Sequence, residues 1–513
     1  MNENATNPVN KLILFFALSI GFTCLSQQKE SSKKTLTKEN ESVEKEIFAS
    51  MDENANTLLK DSKAYSVSIG IVKDGKTYTK HYGEIDKGKR NKADNTTLFE
   101  IASITKIFTG TLIAKAVLDG KINLDDDIRN YMTGSYPNLE YHGTPIRIKD
   151  LVSFKSGFDK DLPNRDEFLK SESDNMPFLL KEMEESYSKE QFFNDLKSIK
   201  LDTLPGTIYK YSNASVELAA HILENVYQKS YETLLKENIF SPLNLKNTKL
   251  HLDINETIAN GYNEKNILMP NMPNSLWGSA GYLKSSMSDL TTFLSFELDQ
   301  KNTIVQESQR NLLKNDGVWN GYFWDGITSD SNGLNCWKHG GAFGTQNLFA
   351  VYPEYNMGIS IIVNQSGRNT SSYLYEARQS LVDDLKPFGK KSIGRAIEKK
   401  CLENISDGIV YYYQLKEKSI QLYNFSDESE LNSLGYKFLK SGSIVSAIKI
   451  FKLLVTEFPN SGNAYDSLGE AYFNNKEYNL SKQNYQKALE LNPKNDNAKE
   501  MIKKTEQIKK SNP

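Results

Sequence analysis

The chain has 513 residues, of which 38% are hydrophobic and 25% charged, with a formal net charge of −2. These proportions describe a globular chain long enough to bury cores in two or three domains, and they exclude a disordered or membrane-embedded protein. The near-zero charge gives no general attraction to nucleic acid or anionic lipid, and the short pairs Lys503–Lys504 and Lys509–Lys510 read as solvated faces.

In chain order, the first feature is Lys11 followed by the apolar run LILFFALSIGF and then the polar stretch SQQKESSKKTLTKENES. The run is short for a membrane span and suits the apolar region of a secretory signal. Residues 1–26 are therefore expected to direct export, with cleavage after Ser26. Gly21-Phe22-Thr23-Cys24 is similar to a lipoprotein cleavage box except at Phe22 and Thr23. Lipidation of Cys24, and with it anchoring in the cell envelope, stays open beside a free periplasmic form. Residues 27–50, rich in Lys, Glu and Ser, are expected to form a polar tether.

Ser66–Asp86 shows two alternating runs around Lys73-Asp74-Gly75-Lys76, a hairpin signal. The stretch FEIASITKIF (Phe99–Phe108) opens a long apolar run that ends at Leu118 and is stopped by Asp119-Gly120. Its β-branched residues would suit a strand, but its length and glycine stop favour a buried helix. Apolar helical patterns follow at Val216–Val226 and Leu290–Leu298, and a second hairpin over Thr345–Val363 turns at Tyr352–Asn356. Hairpins near both ends of one domain, with helices between, predict an antiparallel sheet assembled from distant segments. The expected fold class is α+β: this sheet flanked by helices plus a helical cluster, over residues 51–390.

After a connecting segment at 391–425, the character changes. Leu434-Gly435 recurs as Leu468-Gly469, Phe438 as Tyr472, Phe451 as Tyr485 and Pro459 as Pro493, each 34 positions later. That is the period of tetratricopeptide helix pairs, so residues 426–513 are expected to form a small α-helical solenoid capped by Asp496–Lys510. Two repeats are few for a free-standing solenoid, and the array is expected to lean on Ser392–Tyr423. Repeats of this kind dock proteins, so the array is expected to dock either a protein partner or the catalytic domain itself.

Single S-x-x-K and Y-x-N matches carry little weight, since Ser31–Lys34, Tyr136–Asn138 and Tyr472–Asn474 also fit. Order and context carry more. Ser103-Ile-Thr-Lys106 begins the apolar helix, Tyr211-Ser212-Asn213 follows Leu204-Pro205-Gly206 and precedes another helix, and His339-Gly340-Gly341 precedes the second hairpin. Together with IRIKDLVSFKSGF, GSAGYLKSSMSDLTTFL and HGGAFGTQNLFAVYPEYNMGISIIVN, this ordered set resembles the serine β-lactamase and penicillin-binding protein superfamily, most closely its class C-like branch, over about Glu53–Phe388.

A serine hydroxyl is a poor nucleophile without a base in reach. Three residues apart at a helix start, Ser103 and Lys106 share one face, and Ile104, Ile107 and Phe108 would desolvate the lysine and make its free amine accessible. The bland alternative is a lysine that snorkels to solvent or is ion-paired. The resemblance implies that Tyr211 carries protons to the leaving group and that Asn213 binds both Lys106 and the substrate carbonyl region; simple helix capping is the competing reading. It further implies substrate contacts at His339 and Gly341, with an oxyanion hole formed by the N–H groups of Ser103 and Ala342. Lys338-His339-Gly340 also reads as K-x-G one residue earlier, a slip that would turn the side chain to the other face of the strand. The histidine register weakens the cation available to a substrate carboxylate and favours an esterase or aminopeptidase over a β-lactamase. Phe154 and Lys155 stand where many relatives carry histidine and threonine, which is expected to alter packing beside the site. Asp125–Asp127 reads as a helix start rather than a metal site.

Cys24, Cys336 and Cys401 are the only cysteines, too far apart for a disulfide framework or for metal-ligand spacing. No metal or cofactor is expected. The functional expectation is an exported serine hydrolase working through a Ser103 acyl-enzyme on a small-molecule or peptide ester or amide, as an esterase, D-aminopeptidase or DD-peptidase. The rivals are a non-catalytic or penicillin-binding scaffold that recruits partners through its repeats and, among enzymes, a β-lactamase.

Overall fold

Asp74 and Gly75 have φ angles of +50° and +75°, the consecutive left-handed pair that a two-residue type I′ turn requires. They join strands β1 (Ser66–Lys73) and β2 (Lys76–Gly83), paired from Ser66↔Gly83 to Lys73↔Lys76 as the sequence predicts. The computed structural model describes residues 43–511 apart from 171–172, 254–255, 274, 313–316, 331–332, 387–390 and 421–422. The expected signal segment, Cys24 and most of the tether lie outside the described residues. No helix among the described residues is long and apolar enough to cross a membrane.

The later strands of the main sheet are β3 (Val318–Trp319), β4 (Gly326–Asp330), β5 (Gly333–Gly341), β6 (Gln346–Tyr352) and β7 (Met357–Val363). The sheet has seven strands in the order β2-β1-β7-β6-β5-β4-β3, antiparallel throughout. The first hairpin therefore joins the last, with Val67 opposite Val363. Helix α1 spans 43–62 and buries Ile47, Met51, Ala55 and Leu58, a stripe at helical spacing. This corrects the tether expected to run to residue 50: from residue 43 the chain is helical, with Glu44, Lys45 and Glu46 on its exposed side.

Helix α2 (Thr105–Leu118) is apolar on nearly every side and buried, ending at Asp119 with Gly120 at φ +67°. Helix α3 (Asn213–Tyr227) and helix α4 (Met287–Glu297) contain the two predicted patterns. Helix α4 packs closely on β1: a Cβ on Gly70 would come within 2.5 Å of Met287 Sδ, so only glycine admits that approach. A further helix, α5, covers Thr370–Leu385.

The described chain forms two units, one ending at Leu381 and one beginning at Val382, ahead of the boundary near residue 390 expected from the sequence. The second unit holds helices α6 (Ile393–Glu403), α7 (Ile405–Lys418), α8 (Glu428–Lys440), α9 (Ile444–Glu457), α10 (Gly462–Asn474), α11 (Tyr478–Leu491) and α12 (Asp496–Ser511). Pairs α8/α9 and α10/α11 repeat the 34-residue spacing. Pair α6/α7 shares a core with the first repeat, through Ile397, Cys401 and Tyr412 beside Leu431, Leu434 and Phe451. The array thus leans on this segment as expected, and the segment is itself a helical hairpin rather than a mere connection.

Candidate active site

Ser103 is presented by a strained turn. Ile101 N–H donates to Leu283 O at 3.2 Å, Ala102 adopts φ +45° although it is not glycine, and a short 3-10 turn (Ala102–Ile104) then leads into α2. Ser103 is half-buried at the mouth of a cleft, while Lys106, one turn further on, is buried completely.

Lys106 Nζ lies 3.1 Å from Ser103 Oγ and 2.8 Å from Asn213 Oδ1, and it donates to the carbonyl of Ala280. Burial holds its amine well below the usual lysine value. Nearby Lys338 adds to the effect, Arg165 pushes the same way, and Asp161 and Glu217 oppose it. Tyr211 donates its hydroxyl to Ser103 Oγ at 2.7 Å. It keeps 41% of its surface open, yet desolvation at the hydroxyl end, followed by the charge of Asp325, drives its phenol well above the ordinary value. Between these two groups, the lysine is the one suited to take a proton and the tyrosine the one suited to hold it.

Local sequence explains these positions. Gly206, at φ +87°, turns the chain beside Asp150, and Lys210 N–H donates to Phe154 O at 2.7 Å, fixing the segment that carries Tyr211. Phe154, one of the two departing positions, stacks on Tyr211 with centroids 4.8 Å apart and so packs beside the site. Ser212 caps α3 by accepting from Ser215 N–H at 3.1 Å, and Asp161 accepts from the amides of Asn213 and Ala214. Capping and the contact between Asn213 and Lys106 therefore coexist. Asp127 accepts from Arg129 N–H and caps a 3-10 turn, the helix-start role predicted for it.

The third motif corrects the sequence reading. Lys338, not His339, faces the site: its Nζ lies 4.9 Å from the Tyr211 ring centroid and is paired with Asp325 at 2.6 Å. His339 lies on the opposite face of β5, where its Nε2 meets Gln346 at 3.1 Å and its ring neighbours Tyr375. Burial lowers the pKa of His339, which favours the neutral ring. The operative register is thus the K-x-G of Lys338–Gly340.

The backbone N–H expected to receive an oxyanion moves with it. Ala342 N–H is occupied, donating to Thr345 O at 2.8 Å. Alternation along an antiparallel ladder then points the Gly341 N–H away from β6, beyond the end of β4 where that strand stops at Gly326↔Trp337. Gly341 lines the cleft with Ser103, Tyr211, Asn213 and Ala280. Gly340 must be glycine, since a Cβ there would come within 2.6 Å of Ile101 O.

Sequence reasoning missed two further features of the cleft. Ala280 lies within GSAGYL, a quoted motif left without a role; its carbonyl holds Lys106. Arg165 lines the same cleft and pairs with buried Glu184 at 2.7 Å. Among the described residues no cluster of three His, Cys, Asp or Glu side chains is arranged to hold a metal.

Comparisons with known proteins follow this geometry. The sequence profile of the family described as Beta-lactamase matches residues 51–382, and that of the tetratricopeptide repeat matches residues 462–495. The chain is 29% identical over 311 residues to Protein flp of Staphylococcus aureus strain MRSA252, covering 58% of this chain and 59% of that relative. It therefore spans less than two thirds of that relative's length. It is 23% identical over 358 residues to the D-alanyl-D-alanine-carboxypeptidase/endopeptidase AmpH of Escherichia coli K12, covering 66% of this chain and 90% of the relative. Among solved structures, a Beta-lactamase/D-alanine Carboxypeptidase from Yersinia pestis matches with a TM-score of 0.55 at 21% identity, over 66% of this chain and 98% of that one. A class C beta lactamase from Rhodobacter sphaeroides matches with a TM-score of 0.53 at 20% identity, over 65% and 98%. These two likenesses concern the fold.

Proposed function

The chain belongs to the beta-lactamase family, and from that premise we propose that it is a serine hydrolase forming an acyl-enzyme at Ser103 with an ester or amide substrate. The observation that carries this reading is the way Lys106 is surrounded. A neutral amine has two N–H bonds and one lone pair. Asn213 Oδ1 and Ala280 O take the two N–H bonds, which leaves the lone pair for the hydroxyl proton of Ser103.

As Ser103 Oγ bonds to the substrate carbonyl carbon, its proton passes to Lys106 Nζ. The carbonyl oxygen gains negative charge and is received by the N–H groups of Ser103 and Gly341. When the bond to the leaving group breaks, that group takes the phenolic proton of Tyr211, and Lys106 restores it. Water then attacks the acyl carbon as Lys106 Nζ takes its proton, and Ser103 Oγ leaves taking that proton to re-form its hydroxyl.

Lys338 bears on the substrate. The preference for an esterase rested on a histidine in that place, and a lysine removes its basis. A peptidase or penicillin-binding activity toward acyl donors ending in a carboxylate is the second reading, favoured by this lysine, though Asp325 already meets its charge. Export through residues 1–26 and docking of a protein by the repeats complete the proposal. A scaffold that recruits partners without catalysis is the alternative it opposes.

Intact-mass analysis after exposure to a fluorophosphonate, activated esters, penicillin and D-alanyl peptides tests the proposal. Wild type is expected to gain one adduct that Ser103→Ala lacks, and the reagents that turn over define the substrate class. If no acylating reagent modifies Ser103, the hydrolase reading is wrong. The mature mass from the same preparation reports cleavage after Ser26.

A further inference from the structure

Glu217 is a fully buried carboxylate on α3, one helical turn after Asn213, and it touches no atom assigned to the reaction. It accepts hydrogen bonds from Ala280 N–H at 2.9 Å, Ser279 Oγ at 2.9 Å and Trp277 N–H at 3.1 Å. Three donors converging on one carboxylate fix the segment Trp277–Ala280 against α3. Thr109 of α2 adds a tie by donating to Ser279 O at 3.0 Å. Ala280 therefore has its backbone N–H on Glu217 and its carbonyl, across its own Cα, on Lys106. Adjacent turns of α3 thus reach the same amine by two routes, Asn213 directly and Glu217 through the backbone of Ala280.

We propose that Glu217 is a positioning residue of the hydrolase: held by three donors, it orients the Ala280 carbonyl so that the Lys106 lone pair points at Ser103. The inference rests on the hydrolase reading and deepens it. The charged groups acting on Lys106 are Lys338 on β5, Asp161 and Arg165 in the segment before α3, and Glu217 itself. Lys338 and Arg165 oppose protonation of the amine, and Asp161 and Glu217 favour it. Glu217→Gln removes one of the two favouring charges and replaces an acceptor oxygen with a donor that cannot serve all three N–H and O–H groups.

The test is kcat/KM against pH for p-nitrophenyl acetate, whose leaving group needs no proton. Its acidic limb reports loss of the proton from Lys106 in the free enzyme. In Glu217→Gln that limb is expected to move to lower pH by about one unit, the scale of a neighbouring charge. The plateau should fall about tenfold, within the cost of a misplaced reacting group. Ser279→Ala keeps the carboxyl but removes one of its donors; the less screened carboxylate favours the protonated amine, so the limb is expected to move slightly to higher pH, and this variant serves if Glu217→Gln does not fold. A limb that stays in place in the folded variants, whatever happens to the plateau or to thermal stability, assigns Glu217 a structural role and overturns the inference. If wild type neither turns over the ester nor labels at Ser103, the hydrolase reading fails and this inference with it.

Discussion

A buried amine can serve as a base only if it can lose its proton, and burial first and Lys338 second move Lys106 in that direction, holding it well below the usual lysine value. Lys106→Arg tests the requirement, because a guanidinium keeps donors but has no usable lone pair. Its kcat/KM for an activated ester should fall by about 10²–10⁴-fold, as for loss of a general base, and Lys106→Met should fall alike. Stability shows the same physics elsewhere. Glu297 is fully buried and accepts from Thr111 at 3.2 Å and Gln309 at 3.1 Å, yet burial pushes its carboxyl from 4.5 up to about 7. The folded state therefore holds this proton more tightly than the unfolded chain, so its contribution is intact below pH 4.5 and is lost as pH rises through 7. The loss is about 3 kcal/mol at most. Thermal melts from pH 5 to 8 should decline less steeply for Glu297→Gln than for wild type.

At the scale of elements, what the sequence makes legible is what is local. Asp74-Gly75 encodes its turn, Gly120 its helix stop, and the 34-residue recurrence its helix pairs. Those repeats even carry their packing chemistry: a Cβ on Gly435 would come within 2.3 Å of Phe451, and one on Gly469 within 3.1 Å of Tyr485, matched positions of successive repeats. Gly435→Ala should destabilise the second unit by about 1–3 kcal/mol through overpacking, and Gly469→Ala by less; urea unfolding followed by hydrogen exchange in α8–α11 measures both. The register of β5 was not legible, because Lys338-His339-Gly340 and His339-Gly340-Gly341 satisfy the same pattern and differ only in which face they load. Lys338→Ala should lower acylation of Ser103 by about tenfold or more, as loss of a charged partner does. His339→Ala should stay within about threefold, the reach of a distant change. Labelling rates with a fluorophosphonate separate the two. Nor could spacing disclose that Ala280 holds Lys106, since 174 positions separate them.

The first unit joins its early strands to its late ones. Cleft and sheet both depend on segments remote in the chain: Tyr211 meets Ser103 across 108 positions, and Ser66 N–H donates to Asn364 Oδ1 at 2.6 Å across 298. Such order is costly to reach, because closing long loops precedes the contacts that reward it. Helix α1 is not legible in the sequence for a related reason: Glu44, Lys45 and Glu46 resemble a tether, and the contacts that place the helix, Phe48 against Tyr78 and Asp52 accepting from Tyr82, reach across to β2.

The pairing of β1 with β7 also sets a timetable. At about 5–20 residues per second, the ribosome spends roughly 15 to 60 s between making Ser66 and making the strand that completes its ladder. Throughout that interval β1, later buried along its whole length, keeps one backbone edge without its β7 partner. Nascent chains arrested before Met357 should remain sensitive to protease, and those extended well past Val363 should become resistant. The protein's first hairpin is thus translated long before it can be finished, and whatever shelters a growing chain must shield that edge until the last hairpin emerges.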